Sequence, residues 1–169
     1  MRAYFFDTSA LVPRYFSGRF TRRINRILAT KNSQFFICEL SIIEMSSALA
    51  KVYRKHELSV ADFHKMRAMF ENDIGRGLLR VLKINQKDLL NARDLLEDAA
   101  VLNGRDFHSA DSMIAACCRG LAHNLGRRVI FYTRDWCQYS SVFAVRAYRA
   151  VLKLRYLGKG KGGVPARTG

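Results

Sequence analysis

Short apolar runs alternate along the chain with longer stretches whose apolar positions recur every three or four residues. Ala3–Phe6, Gln34–Cys38, Leu78–Ile84 and Val129–Thr133 read as buried strands. Helical spacing runs through Phe20–Ala29, Ser41–His56, Val60 to about Asp73, Gln86–Leu102 and Ser109–Leu125. In Phe20–Ala29 the apolar Ile24, Ile27 and Leu28 oppose Arg19, Arg22, Arg23 and Arg26. In Ser41–His56 the shared face is Ile42, Met45, Leu49 and Val52. Ser59 is placed to cap the helix at Val60, with Asp62 at the capping-box position. Gly75 and Gly77, Asn103-Gly104, and Asn124 with Gly126 supply the stops. Strands separated by helices predict an α/β sandwich with a largely parallel sheet. The segment Ser141–Leu157 reads either as a helix or as a helix running into an edge strand at Val151–Leu157. The expected organisation is one domain over 1–157 and a flexible, basic, glycine-rich tail over 158–169.

Charge narrows the class of partner. Lys and Arg number 29 against 14 Asp and Glu, a formal net charge of +15. So large an imbalance costs self-repulsion in the folded state and points to a polyanion, usually nucleic acid. The arginine face of Phe20–Ala29 suits RNA or an acidic partner segment. Cys38, Cys117, Cys118 and Cys137 form no CxxC pair, and no His completes a zinc pattern. Free thiols fit a reducing compartment. The N-terminal residues lack a signal-peptide hydrophobic region, and no apolar stretch approaches the ~20 residues of a membrane span. The expected location is the cytoplasm.

With acids outnumbered, the place of each one is informative. Asp7 ends the first strand, and Asp135 lies just past Val129–Thr133. Ligands of open α/β sheets gather outside the carboxyl ends of strands. Glu44 and Asp111 lie near the starts of their helices. The Asp111 stripe continues through Ala115, Cys118, Ala122 and Leu125, all small or apolar. Burying an acid at the head of such a stripe is costly unless it is paired or holds a metal. The Glu44 stripe carries Ala48, Lys51 and Lys55, which is either a solvated helix edge or a path for a phosphate backbone. Converging carboxylates repel one another, and a divalent cation with a preference for oxygen, Mg²⁺ or Mn²⁺, removes that penalty. Asp94, Glu97 and Asp98 read instead as a solvated helix face.

Four motifs carry a resemblance. They are Phe-Asp7-Thr-Ser9-Ala-Leu-Val, Ser41-Ile-Ile-Glu44-Met-Ser-Ser-Ala-Leu, Ser109-Ala-Asp111-Ser-Met-Ile-Ala-Ala and Phe-Tyr-Thr133-Arg-Asp135. In this order and spacing the chain resembles the PIN-domain ribonucleases, in particular the VapC-like toxins of type II toxin–antitoxin pairs. The resemblance covers roughly residues 1–140. It implies a three-layer α/β/α sandwich and an endonuclease that cuts single-stranded RNA with Mg²⁺ or Mn²⁺. Metal-activated water would attack the phosphodiester and leave a 5′-phosphate and a 3′-hydroxyl. Asp7, Glu44, Asp111 and Asp135 would form the acidic quartet, with Asp7, Asp111 and Asp135 toward the metal. Ser9 and Thr133 would be hydroxyl supports. Lys51, Lys55 and Arg134 are candidate RNA contacts. A homodimer and an antitoxin that blocks the cleft are also implied.

The chain departs from that pattern after the fourth acid, where it is longer and its last strand is hard to place. Asp106 rivals Asp111 as the third acid, but Asp106 sits where a helix cap would. Two other functions fit the composition. One is a PIN nuclease of RNA processing or decay without an antitoxin. The other is a basic RNA-binding module whose carboxylates are structural.

Overall fold

The computed structural model describes residues 1–103 and 107–157, apart from the side chains of Asn103 and Trp136. The tail over 158–169, the stop at Asn103-Gly104 and Asp106 lie outside those descriptions. The elements run β1 (Arg2–Phe6), α1 (Thr8–Tyr15), α2 (Thr21–Leu28), β2 (Ser33–Cys38), α3 (Leu40–Lys55), α4 (Val60–Gly75), β3 (Leu79–Leu82), α5 (Gln86–Asn103), α6 (Ser109–Leu125), β4 (Val129–Thr133), α7 (Trp136–Ala144), α8 (Arg146–Val151) and β5 (Leu152–Tyr156).

All neighbouring strands are parallel, in the order β3-β2-β1-β4-β5. Parallel strands buried on both faces need apolar side chains in both directions, which explains the continuous runs in the sequence. Pleating divides them into two cores. Tyr4, Phe6, Phe35 and Ile37 face α1 to α4, together with Leu11, Ile24, Met45 and Phe70. Phe5, Phe36, Val129 and Phe131 face the other way, against Leu95, Ile114, Cys118, Val142 and Tyr148 of α5 to α8. The result is the α/β/α sandwich anticipated from the sequence.

Most element boundaries match the apolar spacing. The exceptions have local causes. Helix α1 has no counterpart in the sequence reading, because Pro13 falls inside it. Asp7 caps it by accepting from the Ser9 N–H. Strand β3 is shorter than Leu78–Ile84, because the Glu39 carboxylate takes the Ile84 N–H at 2.7 Å and draws it off the ladder. The ambiguous C-terminal segment resolves into α7, α8 and the edge strand β5.

A buried ion pair ties the first layer together. Arg14 donates from Nε and Nη2 to the two oxygens of Asp73, and the Tyr15 hydroxyl donates to the same carboxylate. Arg14 also reaches Asn25, so α1, α2 and α4 are fixed to one another. On the opposite face Gly120 lets α6 approach α5, where a Cβ would stand 2.7 Å from the Asp88 carboxylate. Among the described residues no helix is long and apolar enough to cross a membrane.

Candidate active site

Strand order turns outward in opposite directions from β1 and β4, which makes their boundary the topological switch point of the sheet. Asp7 follows β1 and Asp135 follows β4. The Asp7 N–H donates to the Tyr132 carbonyl at 2.9 Å, continuing the ladder one residue past the strand.

Asp7 is 3% exposed. Its Oδ2 accepts from the Ser9 backbone N–H, the Ser9 hydroxyl and the Thr133 hydroxyl. Those hydroxyls are themselves held from the β4 side. Ser9 Oγ accepts from the Arg134 N–H at 2.8 Å, and Thr133 Oγ1 accepts from the Asp135 N–H at 2.9 Å. Ser9 and Thr133 thus stitch the ends of β1 and β4 together around the Asp7 carboxylate.

The other acids come from the helices around this edge. Asp111 lies in the first turn of α6, with Ala115, Cys118 and Ala122 of its stripe buried in the core. Asp135 caps α7 by accepting from the Gln138 N–H at 2.9 Å. Glu44 accepts from the Thr8 hydroxyl at 2.8 Å, which links α3 to the start of α1.

Their charges meet. Burial pushes Asp7 up to about 6, with Glu44 adding to the rise and the hydrogen bonds from Ser9 and Thr133 opposing it. Burial pushes Asp111 up to about 7, and the charges of Asp7, Asp135 and Glu44 all act on it in the same direction. Glu44 is raised by burial against the opposing Thr8 hydrogen bond. Among the described residues no Lys or Arg forms an ion pair with any of the four. Asp111 has no hydrogen-bond partner for its carboxylate among them.

This is an oxygen-only donor set with unbalanced negative charge, which suits a hard divalent cation. Among the described residues no three His, Cys, Asp or Glu side chains converge as a ready-made cage. The expected trio of Asp7, Asp111 and Asp135 therefore shares a field without forming a closed coordination sphere. Mg²⁺ commonly takes only one or two carboxylates and completes its shell with water and substrate oxygens, so the residues present fit.

The candidate RNA contacts are placed unequally. Lys51 and Lys55 are exposed, roughly two and three turns along α3 from Glu44. Arg134 turns toward α2, its guanidinium 4.7 Å from the centre of the Phe20 ring. Asp94 and Glu97 are exposed and lie against Arg93, as expected of a solvated face. His108 is the exposed N-cap residue of α6, without a side-chain capping bond. Met66 and Phe70 of α4 are core residues, whereas Met69 is exposed. Two cavities of about 90 and 300 Å³ lie elsewhere and hold none of the four acids.

Thr8 and Gln138 were not singled out in the sequence. Gln138 is fully buried, and its amide nitrogen donates to the Asp111 carbonyl at 3.3 Å, joining the starts of α6 and α7. Its position three residues after Asp135, inside a capping turn, was the available signal.

Comparison with known proteins agrees with this architecture. The model of the PIN domain family matches residues 4–139, and the chain belongs to that family of nucleases. No curated protein sequence matches the chain. Among solved structures it is similar to a chain of VapBC2 from Rickettsia felis bound to a promoter DNA fragment. The TM-score is 0.60 at 16% identity, covering 91% of this chain and 98% of that one. FitAcB from Neisseria gonorrhoeae gives 0.60 at 15% identity, covering 88% and 95%. VapBC-5 from Mycobacterium tuberculosis, described as a member of a family of toxin–antitoxin systems, gives 0.55 at 13% identity, covering 93% and 100%.

Proposed function

We propose that this chain is a divalent-metal-dependent endoribonuclease that cuts single-stranded RNA as the toxin of a toxin–antitoxin pair. The observation that carries the proposal is Asp111 at the switch point of the sheet. It is raised to about 7 by burial and by three neighbouring carboxylates, and no cation of the described residues pairs with it. A protein that gathers one buried and three half-buried acids without a counter-charge among the described residues, inside a chain of net charge +15, has a use for a metal and a polyanion.

Asp7, Asp111 and Asp135 would hold Mg²⁺ or Mn²⁺, directly or through water. The bound ion would supply a water of lowered pKa and neutralise charge building on the phosphate. Ser9 and Thr133 keep Asp7 in one orientation. Glu44, raised by burial and anchored by Thr8, stands to accept a proton from the attacking water. Lys51 and Lys55, further along α3 from Glu44, and Arg134, over Phe20, would attract the RNA backbone. Hydrolysis would leave a 5′-phosphate and a 3′-hydroxyl.

An antitoxin as partner is supported by the VapBC structures whose chains share this fold. We propose further that residues 1–157 act as one nuclease unit, that the chain pairs with a second copy, and that it works in the cytoplasm where RNA is available.

The test is cleavage of a labelled single-stranded RNA in Mg²⁺ or Mn²⁺, with and without EDTA, by the native chain and by Asp7→Asn. The expected result is cleavage abolished by chelator and by the substitution. Cleavage indifferent to both would remove the metal site. Binding without cleavage under every metal condition would leave a basic RNA-binding module. Release of activity when a co-expressed small partner is degraded distinguishes a toxin from a nuclease of RNA processing.

A further inference from the structure

The distribution of acids along the chain is lopsided. Between Asp7 and Glu39, and again from Asp135 to the C-terminus, there is no Asp or Glu. The fold packs these two acid-free stretches side by side. Helix α2 lies over the β4 side of the sheet, where Ile24 and Leu28 share a core with Tyr4, Ile130 and Tyr132. Next to β4 is the edge strand β5.

Register decides what that edge presents. Lys153 is level with Ile130 and Arg155 with Tyr132, so both basic side chains stand on the same face as α2. Both are exposed, while Leu152 on the opposite face is buried. The helix layer thus stops over β4 and leaves the face of β5 uncovered at Lys153 and Arg155, until Leu157 on the same face returns to the α1–α4 core. The half-buried Ile130 and Tyr132 form the floor of a shallow lane. Arg23 of α2 is one wall, and Arg155 and Lys153 are the other. Burial and the neighbouring Tyr4 raise the Tyr132 phenol, but Arg155 and Arg23 both pull it back, so both charges reach the same hydroxyl. The Tyr132 ring continues an aromatic stack with Phe6, at 5.4 Å between centroids, and with Tyr4 at 6.2 Å. At its upper end the lane meets Arg134 over Phe20, directly between Thr133 and Asp135 of the carboxylate cluster.

We propose that the lane between α2 and β5, walled by Arg23, Lys153 and Arg155 and floored by Tyr132, carries the backbone of single-stranded RNA away from the carboxylate cluster. The proposal rests on the reading of the chain as an RNA-cutting enzyme and specifies where its substrate runs beyond the cut. Cations on both sides of an aromatic floor suit a flexible polyanion with stackable bases. Continuity with the acids favours RNA over an acidic protein segment, because the same strand must reach them to be cut.

The experiment is the affinity of the full chain for a labelled single-stranded RNA oligonucleotide, measured in EDTA across a salt series. Binding in EDTA is read without metal-dependent cleavage, so the result stands apart from the assay that tests the nuclease reading. The triple variant Arg23→Gln/Lys153→Gln/Arg155→Gln is compared with Arg67→Gln/Arg93→Gln, which removes exposed charge from α4 and α5. With about 0.7 salt-slope units per phosphate contact, the triple variant lowers the slope by about 2 and weakens binding at ~0.1 M salt by roughly 100-fold. The control variant leaves both nearly unchanged. Losses in proportion to the charge removed, three against two, would reduce the effect to net charge and overturn the lane. Unchanged RNA affinity in the triple variant, with lost affinity for a poly-glutamate peptide, would make the face a protein-docking surface and overturn it as well.

Discussion

Asp7 serves two purposes that pull against each other. As the cap of α1 it must be buried at the end of β1, where three donors converge on one oxygen. As a carboxylate it resists ionising there, because burial and, to a lesser degree, the neighbouring Glu44 raise its pKa from 3.8 to about 6. A folded value above the unfolded one means that the folded chain holds the proton more tightly. Stability is then fully present below about 4 and declines as pH rises through about 6. For Asp7 alone the loss is at most about 3 kcal/mol. The metal-free chain is therefore expected to melt at a lower temperature at pH 8 than at pH 5. Asp7→Asn should flatten that slope, and Mn²⁺ should restore the stability of the native chain at pH 8. Thermal melts in EDTA and in Mn²⁺ check all three outcomes. The acids were legible in the sequence because acids are scarce there and each falls at a strand end or helix start. Thr8 and Gln138 were not, because a neutral side chain that holds an acid by one hydrogen bond leaves no periodicity or charge to read.

At the scale of elements the site depends on packing far from it. Gly120 brings α6, with Asp111 at its head, against the buried Asp88. Gly120→Ala would put a methyl group into that carboxylate, which must then turn off the Asn85 N–H it holds or be displaced together with its helix. The expected cost is about 1–3 kcal/mol in urea unfolding, with weaker metal binding as α6 shifts. Arg14 and Asp73 play the matching part for α1. The Arg14, Tyr15 and Arg76 hydrogen bonds hold the Asp73 carboxyl below its usual range despite its burial. Its contribution to stability is present at neutral pH and lost as pH falls through that depressed value. Asp73→Asn should cost roughly 3 kcal/mol at pH 7 and progressively less as pH falls below the ordinary carboxylate range, measured as unfolding midpoints. Such ties between helices are invisible to spacing rules, since the partners lie far apart in the chain. Helix α1 escaped prediction because Pro13 reads as a break. The C-terminal region stayed open because two short helices and an edge strand with alternating basic residues fit either pattern.

For the whole molecule, the strand order β3-β2-β1-β4-β5 converts four acids scattered through the chain into neighbours at one edge of the sheet. The same order sets the acid-free stretches around α2 and β5 beside that edge. A strongly basic body can therefore carry a cluster of acids at one sheet edge, whose charge the proposed divalent cation would balance. The most direct test is a crystal of the native chain soaked in Mn²⁺ and read by anomalous diffraction. The account predicts a peak within ligand distance of Asp7 or Asp111 and beside Asp135, lost in Asp7→Asn. A peak elsewhere, or none at a Mn²⁺ concentration that supports RNA cleavage, would contradict it.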